Sequence, residues 1–326
     1  MLHGYRAVQV LYAAAVLGIP DQLRAGPRGS DELSAASAAH APSLRRLLRA
    51  LASLGVLVEA EDNRFALTPM GELLCSDVPG SLRAAVLLYG GRRQWTAWAQ
   101  LFESVKTGKT AFPLRSADKF AEMAARDPAG AAVFNEAMEA LTGPVQASVT
   151  AAYDFSQART VVDVGGGYGS LLASILTANP TLRGVLFEIA PVIEAARGRL
   201  AAARLSERCD LVAGDAFDAV PAGGDIYVIK WVLHDWDDEL SIRILANCRR
   251  AMQADARLLI VERVLPARAA ADAASAFLSD LNMLLLSGGV ERTEPEYRAL
   301  LAAAGFALRR VVPIAAPHHL LEAAPT

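Results

Sequence analysis

Apolar residues recur along this chain with two different periods, and the period changes near residue 160. Before that point the spacing is helical. Tyr5 to Leu17 carries Val8, Leu11, Tyr12 and Ala15 on one stripe, and Gly18 and Pro20 end it. So apolar a first helix fits either a core element or one buried against a second subunit. Ser30 to Ala36 reads as a short helix. Another opens at Pro42, with Leu44, Leu47, Leu48, Leu51 and Leu54 on one face and Gly55 as its stop. Val56 to Glu59, an Asp62-Asn63 turn and Phe65 to Leu67 follow as a β-hairpin. Helix, turn, helix and hairpin together have the outline of a winged helix. Ser81 to Ser104 is expected to be helical, with Trp95, Trp98 and Phe102 clustered. A turn-rich break over Lys106 to Pro113 precedes helices at Ala117 to Ala125 and Ala129 to Tyr153.

From Thr160 onward, strands alternate with helices, the pattern of an α/β doubly wound domain. The expected strands are Thr160–Val164, Gly184–Glu188, Cys209–Ala213, Asp225–Lys230, Leu258–Glu262, Phe306–Val312 and His318–Glu322. The link between the last two is too short for a crossover helix, so they should form a hairpin that places one strand antiparallel to the rest. Ligands of such sheets sit at the carboxyl ends of the strands. Asp163, Glu188, Asp215, Lys230 and Glu262 all fall at or just past expected strand ends, which gathers them at one rim.

The strand at 160–164 runs into Gly165-Gly166-Gly167-Tyr168-Gly169 and then an Ala/Leu-rich helix. Glycine permits positive φ and lets a ligand approach the backbone closely. A dinucleotide fingerprint would space its glycines G-x-G-x-x-G. Here the spacing from Gly165 is G-x-G-x-G, with Asp163 just before it. An acid there repels a pyrophosphate but suits a sulfonium or ammonium. Glu188, ending the next strand, can accept from the hydroxyls of a ribose, a requirement shared by NAD and S-adenosylmethionine. The charge of Asp163 favours S-adenosylmethionine. Gly214-Asp215-Ala216-Phe217 follows the third strand, where a carboxylate and an aromatic ring suit an adenine.

The stretch from Lys230 to Glu239 carries the most chemistry. Lys230 ends an apolar strand, and His234 lies just past it, near the expected ligand. Imidazole titrates near neutrality, which suits a general base for a hydroxyl proton. Glu262 and Glu291 are the candidates to orient it. Asp235 or Asp237 could cap the following helix, and the run Asp237-Asp238-Glu239 serves a helix dipole better than a metal, so no metal is expected. Thr293 with Glu296 forms a capping box for a helix that Gly305 terminates.

Composition narrows the partners. Net charge is −3 and no basic run is present, which argues against nucleic acid and anionic lipid. Arg45, Arg46 and Arg49 on the second winged-helix element have Glu59, Glu61 and Asp62 as acidic neighbours. Cys75, Cys209 and Cys248 fit neither a disulfide framework nor a zinc site, so a reducing cytoplasmic setting is expected. No apolar run approaches membrane-spanning length, and residues 1–23 lack the features of a signal peptide.

Taken together, Asp163–Gly169, Glu188 with Pro191, Gly214–Phe217, Lys230–Trp236, Glu262 with Pro266, and Glu291–Gly305 resemble the S-adenosylmethionine-dependent O-methyltransferases of the caffeic-acid and hydroxyindole type. Residues 4–21 resemble that family's dimerisation region. The resemblance implies a class I methyltransferase fold, with a winged-helix-like dimerisation domain over 1–112 and a catalytic domain over 113–326. It implies a homodimer and a small aromatic acceptor, phenolic or polyketide-like. Gly165, Gly167, Glu188, Asp215, Ala216, Phe217 and Lys230 would contact the cofactor; His234 would be the base, flanked by Glu262 and Glu291. Trp95, Phe134, Met138, Asn282 and Met283 are candidates for the acceptor pocket, although spacing alone gives Phe134 and Met138 to the core. Glu188 stands where Asp is commoner, and Ala216 where a larger residue often stacks. Some members of this family use the fold for decarboxylation or hydroxylation; retention of His234 favours plain methyl transfer. The alternatives are an NAD(P)-dependent oxidoreductase and a winged-helix ligand-sensing regulator.

Overall fold

The computed structural model describes residues 2–112 and 126–326. The chain divides into two compact units: Met1–Thr96 with Pro128–Gly143, and Ala97–Asp127 with Pro144–Thr326. The helix expected at Ala117 to Ala125 lies outside the described residues.

In the first unit the opening helix is Gly4–Val16, and Gly18, at φ 65°, turns the chain into the short helix Ile19–Leu23. Helices Ser30–Ser37 and Ala41–Ser53 bury Leu33, Leu44, Leu48 and Leu51 against Ile19 and Phe65. Strands β1 (Arg28–Gly29), β2 (Leu57–Glu59) and β3 (Arg64–Leu67) form an antiparallel sheet in the order β1-β3-β2. The expected hairpin is thus present, with a third short strand added. Arg49 pairs with Glu59 at 3.3 Å, and Arg45 donates to Asn63, so both arginines are tied to the hairpin.

The helix expected over Ser81 to Ser104 is three helices, Arg83–Gly90, Arg92–Ala99 and Leu101–Thr107. Gly91 takes an extended conformation and breaks the first from the second. Trp95 packs against Tyr5 at 6.0 Å between ring centroids, Trp98 donates to Asn282, and Phe102 is 72% exposed. Helix Pro128–Ala152 is continuous through Pro144.

The second unit holds a sheet of β4 (Thr160–Val164), β5 (Arg183–Glu188), β6 (Cys209–Ala213), β7 (Ile226–Lys230), β8 (Arg257–Leu265), β10 (Phe306–Pro313) and β11 (His318–Pro325). The order is β10-β11-β8-β7-β4-β5-β6, and a short β9 (Arg292–Thr293) pairs with β8. β11 lies antiparallel to β8 and β10, as the hairpin requires; β4 to β8 are parallel. Side chains alternate across these strands, so both faces are apolar. Val162, Tyr227, Ile229, Leu258 and Ile260 pack on one face with Ile244, Leu245 and Leu300. Val161, Val228, Leu259 and Val261 pack on the other with Leu172, Ile175 and Leu200. Strand order reverses between β4 and β7, which makes their carboxyl ends the switch point of the sheet.

Candidate active site

The glycine turn leaves β4 at that switch point. Gly165, Gly167 and Gly169 have φ of 68°, 58° and 81°, conformations that side chains disfavour. A Cβ on Gly166 would come within 2.5 Å of both Asp163 and Leu186, whereas nothing lies within 4 Å of the Cβ position of Gly167. The turn is therefore packed below and open above. Asp163 is 1% exposed and belongs to the packed side, so its carboxylate supports the turn and does not open onto solvent. Glu188 closes β5 and accepts from the backbone N–H of Gly167 at 3.0 Å and of Ile189 at 2.8 Å. Burial, with Asp215 adding to it, raises the Glu188 pKa against those two hydrogen bonds. Asp215 accepts from the Phe217 N–H at 2.8 Å. The Phe217 ring is packed edge-on against Trp236 at 4.7 Å and is 5% exposed. It lines the core instead of offering a face to a ligand, leaving half-buried Ala216 as its neighbour on the surface side. Lys230 closes β7, half-buried, with Nζ 4.8 Å from the Trp231 ring centroid.

Beyond Lys230 the chain turns sharply. Trp231 sits at φ 56°, a left-handed conformation unusual for a large residue, and a 3₁₀ turn follows at Leu233–Asp235. Glu262 governs this turn. β8 runs past Glu262 to Leu265, but its neighbour β7 stops opposite Val261, so Glu262 stands just beyond the end of β7. Its Oε1 accepts from the N–H groups of Val232, Leu233 and His234 at 3.0, 3.0 and 3.4 Å. Its Oε2 lies 2.8 Å from His234 Nδ1. Glu291 Oε2 is 3.7 Å from the same nitrogen, while its Oε1 accepts from Ser279 at 2.8 Å and Arg263 at 3.3 Å.

His234, Glu262 and Glu291 are 7%, 0% and 1% exposed. Burial alone would lower the imidazole pKa, but the Glu262 carboxylate outweighs it, with Asp235 and Glu291 adding, and raises it to about 9. Burial would raise the Glu262 pKa; its pairing with His234 holds it below the ordinary value. Burial, with the Glu262 carboxylate adding to it, raises the Glu291 pKa against the opposing pull of His234, Arg263 and the Ser279 hydrogen bond.

The expected orienting carboxylates thus do converge on His234. Asp237 caps the helix Asp238–Ala251 by accepting from the Leu240 N–H at 2.9 Å, and the Thr293–Glu296 capping box opens helix Glu294–Ala303. Asn282 and Met283 are half-buried on helix Ala274–Leu286, which also carries Ser279. Trp95, Phe134 and Met138 belong to the first unit. Two further residues stand at the site without a signal in the spacing: Arg263, bonded to Glu291, and Arg292, which is 2% exposed beside the His234 turn. Their only trace in the sequence is an arginine following each of the two glutamates.

Residues 98–307 match the O-methyltransferase domain family, and residues 1–77 match the O-methyltransferase dimerisation domain. The chain is 45% identical over 328 residues to a phenazine O-methyltransferase of Lysobacter antibioticus, covering 100% of this chain and 94% of that protein. The solved structure of the mitomycin 7-O-methyltransferase MmcR superposes with a TM-score of 0.92 at 40% identity, covering 100% of this chain and 96% of that one. An O-methyltransferase from neocarzinostatin biosynthesis, solved with S-adenosylmethionine and 2-hydroxy-5-methyl naphthoic acid, gives 0.84 at 34% identity, covering 98% and 96%. These matches set aside the oxidoreductase and regulator readings. The chain belongs to the O-methyltransferase family and is an S-adenosylmethionine-dependent methyltransferase.

Proposed function

We propose that this enzyme methylates a hydroxyl of a small aromatic natural-product acceptor, with His234 as general base. The observation that carries this reading is the buried imidazole held through Nδ1 by Glu262 at 2.8 Å. With Nδ1–H donating to the carboxylate, Nε2 is left as the basic nitrogen. Relatives that act on mitomycin and on naphthoic acids support the acceptor class.

The residues fit the cofactor. The turn is open over Gly167, the two Glu188 oxygens, which accept from the N–H groups of Gly167 and Ile189, each retain a lone pair for a ribose hydroxyl, and Asp215 and Ala216 lie beyond the neighbouring strand end. Gly165, Gly167, Glu188, Asp215, Ala216 and Lys230 would hold it, with Asp163 and Phe217 supporting from beneath. Bound S-adenosylmethionine supplies an electrophilic methyl group on a sulfonium. Orientation carries much of the rate of such an in-line transfer, and proton removal by His234 contributes ~10²–10⁴-fold. The 2.8 Å separation of Nδ1 from Glu262 is that of a hydrogen bond, and we read the His234–Glu262–Glu291 group as a proton-handling trio, without a metal. Asn282 and Met283 are proposed to meet the acceptor. The match of residues 1–77 to the dimerisation domain supports a homodimer.

The test is His234→Ala. Turnover on phenolic and hydroxynaphthoic acceptors should fall by roughly 10²–10⁴. Binding of S-adenosylhomocysteine, followed by calorimetry, should stay at the wild-type level. Wild-type turnover in that variant would remove His234 from the reaction.

A further inference from the structure

The backbone of the His234 turn is held from two sides by opposite charges. From β8, the Glu262 carboxylate takes the N–H groups of Val232, Leu233 and His234. From β9, the Arg292 guanidinium donates to the carbonyl of Leu233 at 3.0 Å through Nη1 and of Trp236 at 2.9 Å through Nη2. Those two carbonyls bracket His234 and Asp235. The intervening His234 carbonyl accepts from the Val290 N–H at 2.9 Å, and a Cβ on Gly289 would come within 1.9 Å of that oxygen. The anion meets the N–H end of the turn and the cation its C=O end, as the turn's dipole favours.

Arg292 is among the largest fully buried side chains of the described residues. A buried guanidinium is costly unless its donors are satisfied. It also meets Asp238, at 2.9 Å from Nε and 2.8 Å from Nη2, Ser241 at 3.3 Å and the Val290 carbonyl at 3.4 Å. Its chain neighbour Glu291 reaches the imidazole itself. Consecutive residues of one segment therefore address the ring and the backbone that carries it. We propose that Arg292 is a positioning residue: it fixes the turn so that His234 Nδ1 stays on Glu262 and Nε2 is aimed at the acceptor. This inference rests on His234 being the base.

The experiment is a double-variant cycle between Arg292→Lys and His234→Ala. Lysine keeps the charge but cannot bridge two carbonyls as a planar fork. Arg292→Lys should lose kcat by ~10–100-fold, the scale of an ångström-sized misplacement. KM for S-adenosylmethionine and affinity for S-adenosylhomocysteine should stay within about threefold, and the kcat–pH inflection should move to lower pH as the Glu262 pairing loosens. Because Arg292 acts through the imidazole, adding Arg292→Lys to His234→Ala should cost nothing more. Losses that multiply in the double variant, or a wild-type kcat and pH profile in Arg292→Lys, would overturn the proposal. Full turnover in His234→Ala alone is a different result, and refutes the base assignment instead. Should Arg292→Lys lose its cooperative melt, Asp238→Ala takes its place, since Asp238 is 74% exposed and anchors the same guanidinium. A several-fold loss confined to the background that retains His234 supports the proposal; an equal loss in both backgrounds, or none, overturns it.

Discussion

Replacing Glu262 by glutamine changes one charge at the centre of the site and little of its shape. The amide carbonyl can still accept from the N–H groups of Val232, Leu233 and His234, so the turn should survive. The NH₂ group then falls where Oε2 stood, 2.8 Å from His234 Nδ1. Two donors cannot share that line, so the ring proton moves to Nε2 and the basic nitrogen points the wrong way. In a serine-protease triad the equivalent loss of the correct tautomer costs about 10⁴ in kcat. General-base catalysis as a whole contributes ~10²–10⁴, which sets the expected loss at that scale. The pH behaviour changes too. With the carboxylate gone and burial remaining, the imidazole falls from about 9 toward or below its ordinary value near 6.5. At 1.36 kcal/mol per pH unit, the net rise of the imidazole pKa, which sums burial, Glu262, Asp235 and Glu291, is on the order of 3 kcal/mol. The assay is S-adenosylhomocysteine formation by liquid chromatography from pH 6 to 10, beside a thermal melt and a binding isotherm. Glu262→Gln should melt near the wild-type temperature, bind S-adenosylhomocysteine normally, and turn over slowly with a profile flattened above neutrality. A kcat within threefold of wild type, with the pH profile unmoved, would refute the assignment of Glu262 as the orienting carboxylate.

Two further outcomes are expected. As the proposed base His234 acts only when neutral, and its pKa is raised to about 9, so wild-type kcat/KM should climb from pH 6 through pH 9 and level off only above it; an acceptor whose own hydroxyl ionises outside that window keeps its titration out of the profile, and a flat profile contradicts the raised pKa. Light scattering in solution should give twice the 34.5 kDa chain mass, and a monomer at micromolar concentration would contradict the homodimer.

Much of the fold was legible because it is written in local chemistry. Gly18, Gly55 and Gly305 end helices in left-handed conformations, Asp237 and Thr293 cap them, and the β-branched runs at 160–164 and 226–230 form parallel strands. The convergence of Glu262 and Glu291 on His234 was legible because His234 follows the end of β7, Glu262 lies just beyond that end on β8, and Glu291 precedes β9, which pairs with β8. What was illegible depends on tertiary packing. Periodicity ran one helix across 81–104, whereas Gly91 leaves helical geometry. The chain pattern puts Phe217 beside the cofactor and carries no sign that its ring packs edge-on against Trp236. The place of Asp163 in the chain suits a cationic cofactor, and its burial against Gly166 is set by tertiary packing that the pattern does not carry. Arg292 is the residue least marked by its local sequence. An arginine beside an acid normally reads as a solvated pair, and only the three-dimensional course of the turn at 233–236 gives its fork two carbonyls to bind.

The central claim is that an acceptor hydroxyl meets His234 across from a cofactor held by Glu188 and the glycine turn. A crystal structure of the enzyme with S-adenosylhomocysteine and a hydroxylated aromatic acceptor tests it directly. The account predicts the acceptor oxygen within hydrogen-bond distance of His234 Nε2 and the ribose hydroxyls on Glu188. An acceptor oxygen remote from the imidazole, or a ribose that leaves Glu188 untouched, would contradict it.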